Sequence, residues 1–289
     1  MNAKVCAILV TYNRLDTLKQ ALAHVLAQHL RPATVIIVDN KSTDGTIEYL
    51  QTIDGRDTIH CIFMESNTGS AGAIAAAMKY GLNCNEYQYF WVLDDDTLYA
   101  PNALKELVEN IEQSEFSLIG LHGAHLKMGK KYPVRADIKL QEADYAMIDG
   151  ALIKADVVRS VGPVCEEFFM MCDDHEYSVR MQRRGYKIGV LKNGADNRLY
   201  LGGGEKFSRA TLWRGYYSAR NHMFIVKKHF SFLNLVGYCL MQSKLLITAA
   251  FLAPDRFQRV RLRLIGIWHG ITGVGGRTLE PGTLKFNKH

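Results

Sequence analysis

Four short apolar runs alternate with segments of helical periodicity between residues 1 and 100, and this alternation restricts the possible folds more than any other feature. The runs occupy residues 5–10, 35–38, 61–64 and 89–93. Helices are predicted over residues 15–26, over 46–51 with Ser42 or Thr43 as the cap, and from about residue 71. Buried strands that alternate with helices predict an α/β fold with a mostly parallel sheet flanked by helices.

A polar cluster follows each apolar run. The clusters are Thr11-Tyr12-Asn13-Arg14, Asp39-Asn40, Asn67-x-Gly69 and Asp94-Asp95-Asp96. In open parallel sheets, ligands bind beyond the carboxyl ends of the strands, where the strand order switches. One such cluster alone would be an ordinary strand-to-helix loop, but four at one sheet edge predict a ligand site.

The aspartate triplet (Asp94, Asp95 and Asp96) ends the run that contains Trp91. Adjacent carboxylates repel one another, and a hard divalent cation with oxygen ligands relieves that repulsion. The triplet therefore predicts a Mg²⁺ or Mn²⁺ site that bridges the protein to a diphosphate. The alternative is a solvated loop in which one aspartate caps the helix predicted over residues 101–112.

Two of the other clusters each allow two interpretations. Asp39 could accept the imide N–H of a uracil or thymine base, or could cap the turn that contains Asn40 and Ser42. The small residues that follow Asn67 could offer free helix N–H groups to a phosphate or a sugar hydroxyl, or could permit close helix packing.

A second acidic cluster lies at residues 173–176, at the start of a helix predicted over 174–184. Asp173 and Glu176 have the spacing of a capping box, which leaves Asp174 as an additional acid. Neighbouring acids raise the proton affinity of a carboxylate, as a general base requires. Asp174 is therefore the predicted base, which would activate an acceptor hydroxyl for attack opposite a departing diphosphate, with inversion.

The charge distribution is asymmetric although the formal net charge is only +6. Residues 1–179 contain 15 Lys and Arg against 25 Asp and Glu, whereas residues 180–289 contain 20 against 4. A basic C-terminal third suits nucleic acid, an anionic membrane surface or a phosphorylated substrate. Nucleic acid is not expected, because the sequence contains no recognised nucleic-acid module and the triplet would have no role.

The tail contains three predicted helices, over residues 211–229, 232–252 and 255–271. The second is apolar, but Asn234, Gln242, Ser243 and Lys244 interrupt it, so a bilayer-spanning helix is not expected. The third is basic and amphipathic, with Arg256, Arg259, Arg261 and Arg263 beside apolar residues. It suits either an anionic membrane interface or packing on the catalytic domain or on another subunit of a homo-oligomer.

Cysteine usage and the N-terminus predict a cytoplasmic protein. The six cysteines show neither a Cys-x-x-Cys pair nor the spacing of a disulfide framework, so reduced, buried thiols are expected. Residues 1–4 lead directly into the first strand, without the apolar stretch of a signal peptide.

With these residues the sequence resembles the family 2 glycosyltransferases of the GT-A fold, over roughly residues 4–225. The motifs that carry the resemblance are Val10-Thr11-Tyr12-Asn13-Arg14, Val38-Asp39-Asn40-x-Ser42-x-Asp44-Gly45-Thr46, Asn67-x-Gly69-x-x-Gly72, the aspartate triplet, Asp149-Gly150-Ala151 and Asp173-Asp174-x-Glu176. The resemblance implies a Rossmann-like GT-A catalytic domain over residues 1–228, with a nucleotide-binding half at about 1–100 and an acceptor half at about 101–228. A helical, basic, amphipathic appendage would occupy residues 229–289.

The resemblance also implies roles for individual residues. Thr11, Asn13, Arg14, Asp39, Asn67, Gly69 and Asp95 would bind the nucleotide, Asp94 and Asp96 the metal, and Trp91, Asp149, Gly150, Asp173 and Glu176 would lie near the sugar or acceptor. Asp174 would be the base. Relatives often carry a metal-binding His after the strand that follows the base helix. Residues 193–197 contain none, so Asp196 or water would replace it.

Within the family, the motif combination is most similar to galactofuranosyltransferases, followed by bacterial rhamnosyltransferases. This favours UDP-galactofuranose over dTDP-rhamnose as donor, and a glycan or polyprenyl-diphosphate-linked acceptor in surface polysaccharide synthesis. The expected location is the cytoplasm or the cytoplasmic face of the inner membrane. A non-catalytic nucleotide-sugar-binding protein is the alternative from another class. A sugar nucleotidyltransferase is disfavoured, because no Gly-rich loop with Lys follows the first run.

Overall fold

The computed structural model describes residues 3–199 and 208–287, which contain thirteen β-strands and nine α-helices. The strands are β1 (Val5–Thr11), β2 (Thr34–Asp39), β3 (Ile59–Phe63), β4 (Tyr89–Asp94), β5 (Thr97–Tyr99), β6 (Leu118–Gly120), β7 (Gly123–Lys127), β8 (Lys130–Pro133), β9 (Leu140–Ala143), β10 (Tyr145–Ala146), β11 (Leu152–Lys154), β12 (Ile188–Leu191) and β13 (Asp196–Arg198). The helices are α1 (Leu15–Leu26), α2 (Thr46–Ile53), α3 (Gly69–Cys84), α4 (Ala103–Glu112), α5 (Ala155–Val161), α6 (Asp173–Arg183), α7 (Leu212–Lys228), α8 (Phe232–Leu252) and α9 (Arg256–Thr272).

The predicted α/β alternation is confirmed. An eight-stranded sheet has the order β3-β2-β1-β4-β11-β6-β12-β9, and its first four strands are parallel neighbours. The pairs β4–β11, β11–β6 and β12–β9 are antiparallel, while β6–β12 is parallel. The chain leaves β1 towards β2 on one side and later returns to β4 on the other. The strand order therefore switches at β1, where a ligand crevice is expected.

Helices cover both faces of the sheet, because successive side chains of a strand point to opposite faces. Cys6, Ile8 and Val10 of β1 face a core shared with α3, α5 and α6. Val5, Ala7 and Leu9 face a second core, shared with α1 and α4. Both sets are buried, which explains why the first run is continuously apolar instead of alternating.

Several local predictions are corrected. Helix α2 begins at Thr46 after Gly45, and Asp44 accepts hydrogen bonds from the Thr46 backbone and hydroxyl, so neither Ser42 nor Thr43 is the cap. The six cysteines are free as expected, but Cys84 and Cys239 are exposed. The run over residues 146–153 is divided between β10 and β11 by the turn at Asp149-Gly150. The sequence did not predict β5, β7, β8, β9, β13 or α5.

The loop predicted over residues 193–205 contains strand β13, which pairs antiparallel with β5. Two further backbone hydrogen bonds flank this strand pair: Leu199 N donates to Asp96 O of the triplet, and Ala100 N, just after β5, donates to Ala195 O. Residues 200–205 of the predicted loop lie outside the described residues.

The three C-terminal helices are confirmed with nearly the predicted bounds. Helix α9 lies close against α7, where a Cβ added at Gly266 would meet the Tyr216 carbonyl oxygen at 2.4 Å. By length and composition α8 could cross a membrane: its best window has a mean hydropathy of 1.5, and 17% of that window is buried. The domain division at residues 228 and 229 remains a prediction.

Candidate active site

The aspartate triplet lies on a sharp turn between β4 and β5, and Asp149 holds this turn in place. Asp149 accepts hydrogen bonds from the Asp94 backbone N–H at 2.9 Å, from Thr97 Oγ1 at 2.8 Å and from Tyr99 Oη at 2.5 Å. It is 4% exposed. Its carboxylate therefore positions the triplet, and the place near the sugar or acceptor that the resemblance implied for Asp149 stays a prediction.

Two residues, one at the end of β1 and one just beyond it, bind the triplet directly. The Thr11 hydroxyl donates to Asp95 at 2.7 Å, and the Arg14 guanidinium donates to Asp95 at 2.9 Å and to Asp96 at 3.1 Å. The strand register explains this contact, because Val10 pairs with Asp94 across β1 and β4. The predicted convergence of the first and fourth polar clusters is thus present in the structure.

The acidic group carries more negative charge than its described cationic partners compensate. Four carboxylates lie together, those of the triplet and Asp149, and two arginines pair with them: Arg14 with the triplet and Arg198 with Asp149. Burial, followed by the charges of Asp149, Asp96 and Asp95, raises the pKa of Asp94 well above its usual range. With Arg214 of α7, three arginines face four carboxylates, and the raised pKa of Asp94 indicates that the cluster attracts further positive charge, such as a divalent cation.

Among residues 3–199 and 208–287, no three His, Cys, Asp or Glu side chains form a ready metal cage. Asp95 contributes no ligand to such a cage, because its carboxylate is turned towards Thr11 and Arg14. Mg²⁺, however, is commonly held by one or two carboxylates together with substrate phosphates. The donor set therefore fits a metal that Asp94 and Asp96 would hold jointly with a diphosphate.

Helix α7 brings a further cation, Arg214, to the triplet. Burial and then the positive charge of Arg14 lower the pKa of Arg214, whereas Asp96 opposes this shift, so both charges lie within its electrostatic range. Its Nε is buried and has no hydrogen-bond partner among the described residues. A half-buried guanidinium with an unused donor suits an anionic group such as a diphosphate.

The carboxylate of Asp39 is fully buried and only half used. Its Oδ2 accepts from the Ser42 backbone N–H at 2.9 Å, whereas its Oδ1 is buried without a partner among the described residues. A buried carboxylate oxygen without a donor is costly. Asp39 thus caps its turn and also keeps one acceptor for a ligand N–H, so both of the interpretations left open by the sequence fit this residue.

The side-chain oxygens of Asn13 and Asn67 stabilise loops. Asn13 Oδ1 accepts from the Thr43 backbone N–H at 2.6 Å, and the Asn13 backbone N–H donates to Ser42 Oγ at 2.8 Å. Asn67 Oδ1 accepts from the Gly69 N–H at 2.9 Å. The implied nucleotide contacts of these two residues would have to use their remaining atoms.

The start of α3 is a packing site, where three of the backbone N–H groups already have partners within the protein. Besides the Gly69 N–H, the Thr68 N–H donates to Asn40 Oδ1 and the Ala71 N–H donates to the Phe169 carbonyl. Gly69 has a φ of +74°, and a Cβ there would meet that carbonyl oxygen at 2.0 Å. Gly69 therefore allows α3 to approach the segment before α6, which is the second of the two sequence interpretations.

Asp174 lies in the first turn of α6, where two donors hold its carboxylate. The His175 backbone N–H donates to Oδ1 at 2.7 Å, and the Tyr145 hydroxyl donates to Oδ2. The Lys131 ammonium lies 3.2 Å from the centroid of the Tyr145 ring. Burial, followed by the charge of Asp174, raises the pKa of neighbouring Asp173 to about 7. Asp173 therefore gains and loses a proton near neutral pH directly beside the predicted base.

A short segment of chain joins the two acidic sites. Tyr145 contacts the predicted base, and Asp149, four residues later, holds the triplet turn. An extended chain rises at most ~3.6 Å per residue, so the Cα atoms of Tyr145 and Asp149 are no more than roughly 14 Å apart. The two acidic sites therefore lie at the two ends of one short connection.

Three residues that the resemblance assigned to the sugar or acceptor region take part in core packing, in a turn or in buried ion pairs. Trp91 is fully buried against Tyr99 in the core. Gly150 has a φ of +83°, and its N–H donates to the Val92 carbonyl. Glu176 does not form a capping box, because its carboxylate is buried among cationic side chains. These positions shape the fold behind the site.

Sequence reasoning missed Tyr145, Arg198 and Arg214, which lie in segments without a recognisable motif. Only the pairing of β13 with β5 brings Arg198 to Asp149. Asp196, the suggested substitute for a metal-binding His, is held by His122, whose Nε2 lies 2.6 Å from Asp196 Oδ2.

Comparison with known families decides the assignment. The profile described as "Glycosyl transferase family 2" matches residues 6–162, more than half of the chain. The chain belongs to glycosyltransferase family 2. The matched region contains Thr11, Asp39, the triplet and Asp149, whereas Asp174, Arg198 and Arg214 lie beyond it.

Two groups of curated relatives are similar in sequence. Poly-beta-1,6-N-acetyl-D-glucosamine synthase of Staphylococcus aureus strain MSSA476 is 24% identical over 198 residues, which cover 63% of this chain and 46% of the synthase. The match thus spans less than half the length of that relative. Galactofuranosyltransferase GlfT1 of Mycolicibacterium smegmatis is 26% identical over 209 residues, covering 64% of this chain and 68% of that protein.

Solved structures show the same GT-A fold. A mannosyltransferase from Pyrobaculum calidifontis, solved with GDP-Man and Mn²⁺, matches with a TM-score of 0.61 and 14% identity over 94% of this chain and 86% of that one. S. aureus TarS, residues 1–349, matches with a TM-score of 0.55 and 14% identity over 93% and 92%. These likenesses extend over the C-terminal helices and confirm the fold.

Proposed function

We propose that this chain is an inverting, metal-dependent hexosyltransferase that uses a uridine diphosphate sugar. The observation that carries the proposal is the convergence, at one sheet edge, of the half-used Asp39 carboxylate with the under-neutralised triplet. A uracil imide N–H supplies the donor that Asp39 Oδ1 lacks, and a metal diphosphate supplies the charge that the triplet lacks. One nucleotide sugar would satisfy both needs.

The reaction follows from the positions of the acids. Asp174 accepts the proton of an acceptor hydroxyl, whose oxygen attacks the anomeric carbon while the bond to the diphosphate breaks. Tyr145 orients the Asp174 carboxylate, and Arg14 and Arg214 stabilise the charge on the leaving diphosphate. A divalent cation held by Asp94 and Asp96 would supply further stabilisation of that charge. One displacement with one base inverts the anomeric configuration.

UDP-galactofuranose is the favoured donor, and a lipid-linked or oligosaccharide acceptor in bacterial surface polysaccharide synthesis is the favoured acceptor. The similarity to a galactofuranosyltransferase supports this choice, and so do the motifs shared with that group. dTDP-rhamnose is the alternative donor, because thymine presents the same imide N–H. The reaction would take place in the cytoplasm or at the cytoplasmic face of the inner membrane.

The first test is a donor-hydrolysis screen of UDP and dTDP sugars, including UDP-galactofuranose, with Mn²⁺ or Mg²⁺. We expect one donor to be cleaved only with metal. Asp96→Ala should lower that rate by at least about 100-fold, because it removes a carboxylate that holds the metal and the diphosphate. Asp57→Ala, at an exposed loop position, is the matched control and should leave the rate unchanged. Undiminished cleavage in the presence of chelator would refute the metal site.

The second test separates binding from transfer. Asp174→Asn keeps the size of the side chain but cannot accept the proton, so we expect donor affinity close to wild type and a transfer rate lower by about 10²–10⁴-fold. Calorimetric donor titration and product assay measure the two quantities. Normal transfer by this variant would exclude Asp174 as base. Metal-dependent donor binding without transfer by wild type to any acceptor would favour the non-catalytic alternative.

A further inference from the structure

The outward face of helix α8 is an exposed apolar surface. Its side chains recur at helical spacing and include Leu233, Leu240, Ile247 and Phe251, which are 60–80% exposed. Lys244 is the one charged residue of this helix. An exposed apolar stripe of this length, about six turns, is unusual on a protein surface that faces only water.

The opposite face of α8 is fixed to the catalytic domain. The Tyr238 hydroxyl donates to the Ala219 carbonyl of α7 at 3.1 Å, and Gln242 Oε1 accepts from the Arg263 guanidinium of α9 at 2.8 Å. Tyr238 and Gln242 on this face are buried, and Arg263 of α9 is half-buried. Although α8 is long enough to cross a bilayer, these contacts orient it along the protein surface.

The turn between α8 and α9, taken with the helix ends that flank it, carries the three most exposed large apolar side chains among the described residues. They are Phe251, Leu252 and Phe257, which are 80%, 73% and 83% exposed. On α9, Leu264 and Trp268 extend a second outward stripe and are 50% and 62% exposed. We name α8, α9 and this turn the C-terminal hairpin.

The charge of this region identifies its partner. Residues 208–287 contain twelve Lys and Arg but only two Asp and Glu. Lys244, Arg256 and Arg261 are exposed within the hairpin, beside the apolar residues. An apolar surface with a basic surround is complementary to a bilayer that contains anionic lipids, whereas two copies of such a surface would repel each other.

We propose that the C-terminal hairpin docks on an anionic lipid bilayer, with the outward face of α8 in the interface and the apolar turn inserted among the acyl chains. The turn also adjoins the catalytic domain: Arg209 pairs with Asp255 at 3.7 Å, and Arg259 donates to the Ser208 carbonyl at 3.1 Å. That segment leads into α7 and Arg214. Docking therefore places the site beside the bilayer, and, resting on the proposed function, this favours a lipid-linked acceptor.

The test is cosedimentation of the full chain with vesicles of phosphatidylcholine alone or with added phosphatidylglycerol. We expect binding only to the anionic vesicles, weakened by high salt. The variant Phe251→Ser/Leu252→Ser/Phe257→Ser should bind at least about tenfold more weakly, because each side chain loses its burial in lipid. Lys244→Gln/Arg261→Gln should also bind more weakly. Tyr80→Ser, an exposed aromatic position on α3, is the control and should bind like wild type.

Three outcomes would overturn the proposal. The first is equal sedimentation of wild type and the apolar variant. The second is a wild-type dimer in analytical ultracentrifugation that becomes monomeric in that variant, which would show that a second copy covers the face. The third is resistance of membrane-bound protein to alkaline carbonate, which would show a spanning helix. Donor titration without vesicles distinguishes a failure of this proposal from a failure of the proposed function, since the hairpin variants should bind donor normally whether or not they dock.

Discussion

At the scale of single residues, Glu176 is a buried carboxylate that binds three basic side chains. It is fully buried and pairs with Arg180 at 2.9 Å, Lys228 at 3.0 Å and His229 at 3.2 Å. These partners lie on α6, at the end of α7 and just beyond it. Glu176 therefore joins the helix that carries the predicted base to the helix that carries Arg214.

The pKa of Glu176 sets the sign of a pH effect. Burial raises this pKa, but the hydrogen bond from His229 and the charges of Arg180 and Lys228 outweigh burial and lower it to about 2. A carboxylate with a lowered folded-state pKa stabilises the protein above its unfolded-state pKa, and this stabilisation disappears as the pH falls towards the folded-state value. The affected window is pH 4.5 to 2.

We predict that Glu176→Gln lowers the free energy of unfolding at pH 7 by roughly 3 kcal/mol, since Arg180 and Lys228 lose their counter-charge and His229 loses a charged partner. Urea unfolding at several pH values measures this effect, and the difference from wild type should shrink below pH 4.5. Glu115→Gln is the control, because its pair with Lys187 is exposed and should contribute less than about 1 kcal/mol. A pH-independent difference would contradict the assigned cause.

At the scale of elements, the segment of residues 166–172 before α6 adopts an unusual backbone conformation. Phe169, Met171 and Cys172 have positive φ angles, which are strained for side-chain-bearing residues. Asn221 of α7 holds the segment by donating to the carbonyls of Phe168, Met170 and Met171. The fold thus stabilises a strained approach to Asp174.

Gly69 tests how closely α3 must approach this segment. We predict that Gly69→Ala lowers the free energy of unfolding by about 1–3 kcal/mol more than Gly55→Ala does, because only at Gly69 would the new Cβ collide with backbone. The comparison is matched: the φ values are +74° and +72°, and a Cβ at Gly55 meets nothing within 4 Å. Thermal unfolding measures stability, and the transfer rate should fall only in Gly69→Ala. Equal effects would show that backbone strain alone matters.

The sequence predicted elements with long periodic patterns and missed those with short or polar ones. Strands β1, β2 and β4 are mostly apolar because both faces are covered, so their runs were visible, whereas the partly exposed edge strand β3 contains His60. Strand β13, with the sequence Asp-Asn-Arg, carries no such signal, and its pairing with β5 forms only in the folded chain. The same limit applies to the site. Asp39, the triplet and Asp174 follow recognisable elements, whereas Tyr145 and Arg198 reach it through long-range pairing.

At the scale of the whole molecule, residues 276–287 connect the end of the chain to the interior. The fully buried Arg220 guanidinium donates to the Gly276 carbonyl and to Thr278 Oγ1, at 2.7 and 2.8 Å. The Tyr217 hydroxyl donates to the carbonyl of Leu279, whose side chain is fully buried. This segment therefore stabilises α7 from the side opposite the sheet core.

We predict that a chain ending at Gly275 loses at least about 3 kcal/mol of unfolding free energy, because Arg220 keeps its burial but loses two acceptors. A chain ending at Asn287 retains every contact named above and should match wild type. Urea unfolding compares the two truncated chains. Wild-type stability in the shorter chain would show that the segment is dispensable.

Helix α7 has seventeen residues and a length of roughly 25 Å, and it holds Arg214, Asn221 and the contact for the C-terminal hairpin. If the hairpin rests on lipid, this helix holds the reacting carbon at a fixed distance from the bilayer. A growing glycan could then present its terminal hydroxyl only while its end stands at that height. Such an enzyme would add a sugar early in assembly and release longer chains, so the fixed distance between the site and the bilayer would limit product length.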